Sequence, residues 1–307
     1  VRVHNGIRGS VAAGVAVCAI LLAQSVSAAR RPHPDPCPVL LAQVDDEGDI
    51  DESYDSYGQD IDEEMEYDDA IMTPADTSKK EAMPTWPYAH VEKLMKGIKW
   101  YGHASFLIEN RKRIYIDPFD LPEKVAPADL ILITHEHSDH FSPGDIAKIL
   151  TEKTIVVSID AVGERLTKSA KHFTLVAPGD TVKVGDITIE AVPAYNLKKK
   201  YHPEKKRYVG FVVNYEGRTV YHAGDTDLIP EMKHIKADVA LLPAGGKYTM
   251  DATEAAEAAN LIAPKVAVPM HWGKIIGDEE DAKVFEAKCK VPVVIMKEEK
   301  IQVSPEK

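Results

Sequence analysis

Residues 134–140 read Thr-His-Glu-His-Ser-Asp-His, placing three imidazoles and two carboxylates within the six positions from His135 to His140. The pattern is HxHxDH. Imidazole and carboxylate are ligands that divalent metals take, whereas a plain polar turn needs Gly, Pro or Asn far more than histidine. His135 and His137, spaced by two, can face one cation, while Asp139 and His140 wrap round to a second. The cluster sits behind the apolar run Leu130-Ile131-Leu132-Ile133, which reads as a buried strand. The ligands therefore emerge where a sheet ends and a loop begins, a usual place for binding and catalytic groups.

Two later segments repeat that placement. Tyr221-His222-Ala223-Gly224-Asp225-Thr226 follows an apolar strand; Gly224 permits a tight turn, and the two oxygens of Asp225 can bridge two cations. Val268-Pro269-Met270-His271-Trp272 ends another buried strand on an imidazole. Each segment alone is a weak signal, because a lone strand-end histidine is more often an ordinary surface residue. In this order after HxHxDH, they are specific.

With these residues in place the chain resembles the metallo-β-lactamase superfamily, and within it a lactonase-like branch of metal-dependent hydrolases, over about residues 97–296. The resemblance extends to Trp100-Tyr101-Gly102-His103-Ala104-Ser105, to Ile116-Asp117-Pro118-Phe119 and to the segment from Leu241 to Met250. It implies an α/β fold, the αββα four-layer sandwich, with the metals at one edge between the sheets. It implies that His135 and His137 hold the first cation, that Asp139, His140 and His271 hold the second, and that Asp225 bridges them. One departure matters. The superfamily usually places a third first-site histidine after a strand, where this chain has Asn196, and an amide oxygen is a poor substitute for imidazole on zinc. His202, six residues on, is either the replacement ligand or a plain loop histidine, and the spacing leaves both readings open.

The expected cofactor is a pair of divalent cations, zinc first, with manganese and iron also compatible with the ligands. A bound cation lowers the pKa of water from about 15.7 to about 7. The expected function is thus hydrolysis of a small ester-type substrate, a phosphoester or a lactone, by a metal-bound hydroxide. Asp139 is expected to orient the nucleophile or take a proton while binding the second cation. His103 and Asp117 are expected to hydrogen-bond to the ligands and orient them. His222 and Tyr248 are likewise expected to stand behind the ligands as outer partners, or to donate to the developing oxyanion. The alternative is a non-catalytic metal- or partner-binding protein that retained the fold. Asn196 favours that alternative; the intact remainder of the ligand set opposes it.

These ligands need a framework that holds strand ends together. Short strand-like runs at Ile98–Tyr101, Ser105–Glu109 and Arg113–Ile116 predict an initial antiparallel meander, and Leu130–Ile133 leads into the metal loop. Ser142 and Pro143 suit the first turn of a helix. Further strands are predicted at 154–157, 181–184, 187–192, 209–214, 219–222, 239–242 and 266–268, with helices at Thr253–Ile262 and Asp278–Lys288. Runs of strands with intervening helices predict two mixed sheets packed together and covered by helices.

Charge divides the chain unevenly. The first 90 residues hold six Lys and Arg against 17 Asp and Glu, whereas residues 91–307 hold 31 against 32. The near-neutral part is long enough for one sizeable core, and it is expected to form the hydrolase domain, residues 91–307. It lacks the dense basic stripe of a nucleic-acid binder, so no nucleic-acid partner is expected. Residues 1–28 read as a signal peptide: Arg2 and Arg8, the apolar stretch Val11–Ala23, then Val26-Ser27-Ala28. That order predicts export to the periplasm or the exterior. No stable membrane span is expected unless the signal stays uncleaved. Residues 29–90 carry a Pro-containing spacer and then 14 acids without a Lys or Arg between Asp45 and Asp69, a composition that predicts a disordered linker. Cys18, Cys37 and Cys289 have no metal-ligand spacing and make no disulfide framework. The expected partner is a small-molecule substrate, with Lys198-Lys199-Lys200 and Lys205-Lys206-Arg207 leaning towards an anionic one. The sequence does not disclose the oligomeric state; a homo-oligomer is compatible with the resemblance, since superfamily members often assemble.

Overall fold

The computed structural model describes residues 88–166 and 170–299. The predicted signal peptide, most of the acidic linker, Cys18 and Cys37 lie outside the described residues. Twelve strands form two six-stranded mixed sheets. The first sheet holds β1 (Ile98–Trp100), β2 (Phe106–Glu109), β3 (Arg113–Ile116), β4 (Leu130–Ile133), β5 (Ile155–Ser158) and β6 (His172–Leu175), in that spatial order. Its first three strands form the antiparallel meander, and β3 to β6 run parallel. The second sheet holds β7 (Thr181–Val184), β8 (Ile187–Pro193), β9 (Val209–Tyr215), β10 (Arg218–His222), β11 (Val239–Pro243) and β12 (Val266–Met270), again ordered as in the chain. There β7 to β10 are antiparallel, and β10 to β12 are parallel.

Parallel strands are covered on both faces, so they carry apolar side chains throughout rather than alternating. Leu130-Ile131-Leu132-Ile133 is buried at every position, as are β11 and β12. Among the described residues five α-helices accompany the sheets: α1 (Tyr88–Met95), α2 (Pro143–Ile149), α3 (Asp160–Leu166), α4 (Ala252–Ile262) and α5 (Glu279–Lys288). The α4 helix turns four alanines, Ala255, Ala256, Ala258 and Ala259, to the core, which lets it pack close against β11. Asp251 and Asp278 cap α4 and α5 through reciprocal capping boxes, and Ser142 caps α2 ahead of Pro143. This is the expected αββα sandwich. Among the described residues no helix is long and apolar enough to cross a membrane.

Three elements depart from the expected list. The α3 helix and β6 were not predicted. Strand β6 is the half-exposed edge of its sheet, so it lacks both the continuous apolar run and a clean alternation. Helix α1, Tyr88–Met95, was not predicted either. The buried Arg218 guanidinium donates to the Leu94 and Lys96 carbonyls and ties this helix's end to β10.

The site edge is where chain ends of both sheets meet. Asp117 follows β3, the HxHxDH loop follows β4, Asp225 follows β10 and His271 follows β12. Backbone bonds stitch the edge together: His271 N donates to His103 O at 2.9 Å, and Asp117 N continues the ladder to Leu132 O at 2.9 Å. His103, Asp117 and His271 all hold left-handed backbone, with φ of 51°, 46° and 58°. Non-glycine residues adopt it at a cost of about 1–3 kcal/mol, and such costs gather at functional sites.

Candidate metal centre

The loop after β4 is fixed at its base by Thr134. Its N–H donates to Asp117 Oδ1 at 2.8 Å, and its hydroxyl donates to Asp117 Oδ2 at 2.7 Å. With the hydroxyl proton committed, Thr134 Oγ1 accepts from His135 Nδ1 at 3.0 Å. That places the proton on Nδ1 and leaves the His135 Nε2 lone pair facing the site. His135 Nε2 lies 3.0 Å from His137 Nδ1, which in turn lies 3.2 Å from His202 Nε2. His202 Nδ1 faces only acceptors, Asn196 Oδ1 at 3.1 Å and the Tyr248 carbonyl at 3.3 Å, so its Nε2 also presents a lone pair. One proton on His137 Nδ1 can satisfy only one of two lone pairs, whereas a cation satisfies all three nitrogens.

A second group lies beside the first. His140 Nδ1 donates to Asp117 Oδ2 at 2.7 Å, which orients the ring and turns Nε2 inward. His140 Nε2 sits 3.2 Å from Asp225 Oδ1 and 3.8 Å from Asp139 Oδ2. Asp225 Oδ2 lies 3.1 Å from His271 Nε2 and 3.2 Å from His202 Nε2. His140 Nε2, Asp225 Oδ1 and both His271 ring nitrogens are buried without a hydrogen-bond partner in the protein. Orphaned polar atoms are costly in a protein interior, and His140 Nε2, Asp225 Oδ1 and His271 Nε2, gathered around the Asp225 carboxylate, mark a place built for a cation. Ligand atoms of His103, Asp139, His140 and His271 lie within 4.8 Å of one another, as do those of His135, His137 and His202, and those of His135, His140 and Asp225. The residues present fit a divalent metal centre.

Protonation agrees with that fit, since metals bind neutral imidazole and ionised carboxylate. Burial holds His135 well below the ordinary histidine range, with the neighbouring His140 adding to the effect. Burial also lowers His202, and pushes His103 down to about 4 against the opposing pull of Asp139. Burial would raise the Asp225 carboxyl, but His140 and His271 hold it well below the usual carboxylate range. Asp139 is likewise lowered against burial, by its hydrogen bond from His103 and the charge of His140. His140 is raised well above the ordinary histidine range: burial opposes it, but the Asp225 and Asp117 carboxylates favour its charged, protonated form. A cation beside Nε2 would replace that proton.

The sequence-derived residues separate in the structure. His135, His137, Asp139, His140, His202, Asp225 and His271 come together. Asp117 Oδ2 meets His140 Nδ1 at 2.7 Å, and His103 Nε2 meets Asp139 Oδ2 at 3.0 Å, with His103 also grouped with His140 and His271. For His222 the oxyanion role is a correction, while its place behind the ligands is not. Its Nε2 donates to Ala104 O at 2.9 Å and its Nδ1 accepts from Gly224 N at 3.2 Å, so neither nitrogen is free for an oxyanion. It shapes the turn that carries Asp225 instead. Tyr248 is half-buried rather than buried; its carbonyl accepts from Asn196 and His202, and its ring lines the mouth. Thr134 and Asp227 act on the ligands and escaped the sequence reading, as did the hydrogen-bonding role of Asn196, which was read only as a lost ligand; the one available signal was Thr134 standing directly before HxHxDH.

A cleft of about 380 Å³ opens onto these atoms. His137, Asp139, His202 and Asp225 form its floor, with Phe119, Tyr201, Tyr248 and Ile275 as walls. Tyr201 and Tyr248 meet edge to face at 4.7 Å, with Lys200 and Lys247 over their rings. A larger cleft of about 600 Å³ lies between Trp100, Trp272 and residues 295–298, but it reaches only His103 of the cluster.

Comparison with known proteins agrees with this geometry. Residues 97–271 match the family model described as a beta-lactamase superfamily domain. The chain is 37% identical over 219 residues to a UPF0173 metal-dependent hydrolase of Pyrococcus abyssi, covering 65% of this chain and 96% of the relative. It is 36% identical over 219 residues to its counterpart in Nanoarchaeum equitans, covering 67% and 99%. Among solved structures, a Parabacteroides distasonis protein assigned to the metal-dependent hydrolases superposes with a TM-score of 0.58 at 34% identity, over 64% of this chain and 91% of that one. Igni18, a metallo hydrolase of Ignicoccus hospitalis, superposes with a TM-score of 0.56 at 28% identity, over 66% and 95%.

Proposed function

Because this chain belongs to the metallo-β-lactamase superfamily and is a metal-dependent hydrolase, we propose that it cleaves a small ester-type substrate, a phosphoester or a lactone, at a pair of divalent cations. The observation that carries this reading is the placement of Asp225. One of its oxygens faces His140, and the other faces both His202 and His271. His135, His137 and His202 would hold one cation; Asp139, His140 and His271 would hold the other, with Asp225 shared between them. Zinc is the first candidate for this nitrogen and oxygen donor set, with manganese and iron also compatible. Such cations, when bound, polarise an acyl or phosphoryl oxygen and lower the pKa of a water to about 7.

The chain's own residues supply the rest. Asp139 is the partly exposed carboxylate on the cleft floor, and His103 fixes one of its oxygens, leaving the other to orient a nucleophile or hold a proton. Phe119, Tyr201, Tyr248 and Ile275 exclude water from the bound substrate and favour an apolar body. Lys200 and Lys247, held over the two tyrosines at the rim, favour an anionic end. Asn196 no longer argues for a decayed, non-catalytic protein, because His202 stands in the group that its amide leaves short.

The test is turnover of a panel of phosphodiesters and lactones by the purified full chain loaded with zinc or manganese. Metal-dependent hydrolysis that disappears in Asp139→Ala, with metal content retained, supports the reading. A fully loaded chain that turns over neither panel sinks the ester assignment.

A further inference from the structure

Among the grouped ligands His202 is placed differently from the rest. His135 follows β4 by two residues, Asp225 follows β10 by three, and His271 follows β12 directly. His202 sits in the middle of the fifteen-residue connection between β8 and β9, nine residues past Pro193 and seven before Val209. A ligand on a long loop has no strand to fix it and must be held by its neighbours.

We propose that Asp227 and Asn196 are positioning residues that hold His202 in the metal centre and so govern filling of the first cation position. This rests on the reading of the site given above. The contacts form a chain. Asn196 Oδ1 accepts from His202 N at 2.9 Å and from His202 Nδ1 at 3.1 Å, fixing both the backbone and the ring. Asn196 Nδ2 donates to Asp227 Oδ1 at 2.9 Å and to Tyr248 O at 3.0 Å. Those two acceptors decide which way the amide points. Asp227 Oδ2 accepts from Leu197 N at 2.9 Å, and its own N–H donates to Tyr195 O at 2.9 Å. Lys199 Nζ closes the arrangement, donating to Asp227 Oδ1 at 2.7 Å and to Thr249 O at 2.9 Å. The loop carrying His202 is thereby fastened to the strand-end turn that carries Asp225.

Asparagine suits position 196 for a chemical reason. The position needs an acceptor facing His202 and a donor facing Asp227, both largely buried. Aspartate would set two carboxylates against each other, and alanine would leave Asp227 and the His202 ring short of partners. The residue that reads as a lost ligand therefore acts by holding the ligand that replaces it.

The experiment compares zinc and manganese binding by the full chain with that of Asn196→Ala, Asp227→Asn and His202→Ala, using elemental analysis and competition with a chromogenic chelator. Unfolding midpoints of the metal-free proteins are measured alongside. The expected result is that Asn196→Ala and Asp227→Asn reproduce the His202→Ala curve, with one cation held as in the parent and the other about 10–100-fold weaker. A purely structural role would lower the unfolding midpoint and weaken both cations together, and that result overturns the proposal. So do curves that match the parent. If the parent takes up only one cation, the two-cation reading fails by itself. The positioning proposal then stands or falls on whether Asn196→Ala still tracks His202→Ala.

Discussion

Asp117 Oδ2 lies 2.7 Å from His140 Nδ1, and neither side chain is exposed at all. The same carboxylate takes both the N–H and the hydroxyl of Thr134, so one buried group sets the start of the metal loop and the orientation of its last imidazole. Asp117 holds left-handed backbone to reach both. Replacing Asp117 by asparagine keeps the size but sets an NH₂ or a neutral oxygen where charge is needed. Asp117→Asn is expected to weaken metal binding about 10–100-fold, since outer partners of ligating histidines carry effects of that size. A chelator competition titration reads it, and an unchanged affinity would remove Asp117 from the site.

Asp139 is expected to separate chemistry from metal content. Its carboxylate is partly exposed on the cleft floor and only one oxygen is fixed by His103, whereas His140, His271 and Asp225 remain to hold a cation without it. Asp139→Ala should lose about 10²–10⁴-fold in kcat, the range for a positioned acid or base, while keeping at least one cation per chain. Parent-like turnover in that variant would move the acid–base role elsewhere.

Much of this centre was legible in the sequence, because its ligands cluster and because parallel strands announce themselves as apolar runs. HxHxDH and His271 follow such runs, Asp225 follows the more mixed strand Arg218–His222, and the structure brings all of them together. What the sequence left open depended on loop geometry. The seven residues from Asn196 to His202 do not disclose that the loop folds back so that the amide meets the imidazole. His222 looked like an oxyanion donor because it neighbours Asp225. Strand β10 instead directs its ring to the Ala104 carbonyl, beside Phe106. Edge strand β6 was missed because exposure on both faces erases the hydrophobic period that identifies a strand.

Gly224 makes a sharp test of the turn that delivers Asp225. Its φ is 63°, and a Cβ there would meet Val209 O at 2.8 Å and Thr134 Cβ at 3.3 Å. Both neighbours are fixed, one by the β8–β9 pairing and the other by Asp117. Gly224→Ala is expected to destabilise the metal-free fold by about 1–3 kcal/mol and to weaken metal binding through displaced Asp225. Chemical denaturation and metal content measure the two effects; a variant as stable and as well loaded as the parent would show that the turn is not strained.

Cys289 should make stability depend on alkaline pH. The thiol is buried at the C-terminal cap of α5, and burial, with the nearby Glu286 charge adding, pushes its pKa up to about 12 from an ordinary value of 9.0. Between those limits the folded chain keeps the proton while the unfolded chain releases it. The unfolded state then binds fewer protons, so stability is complete below about pH 9 and falls as pH rises, by about 1.4 kcal/mol per unit. Several buried tyrosines add to the fall at higher pH, so the comparison must be made against a variant. Cys289→Ala is expected to start less stable, because it leaves a small cavity, yet to lose less stability than the parent between pH 8.5 and about 10.5. Denaturation midpoints across that range decide it: converging curves follow from a protonated buried thiol, and parallel curves would mean that Cys289 ionises in the folded chain as it does in the unfolded one.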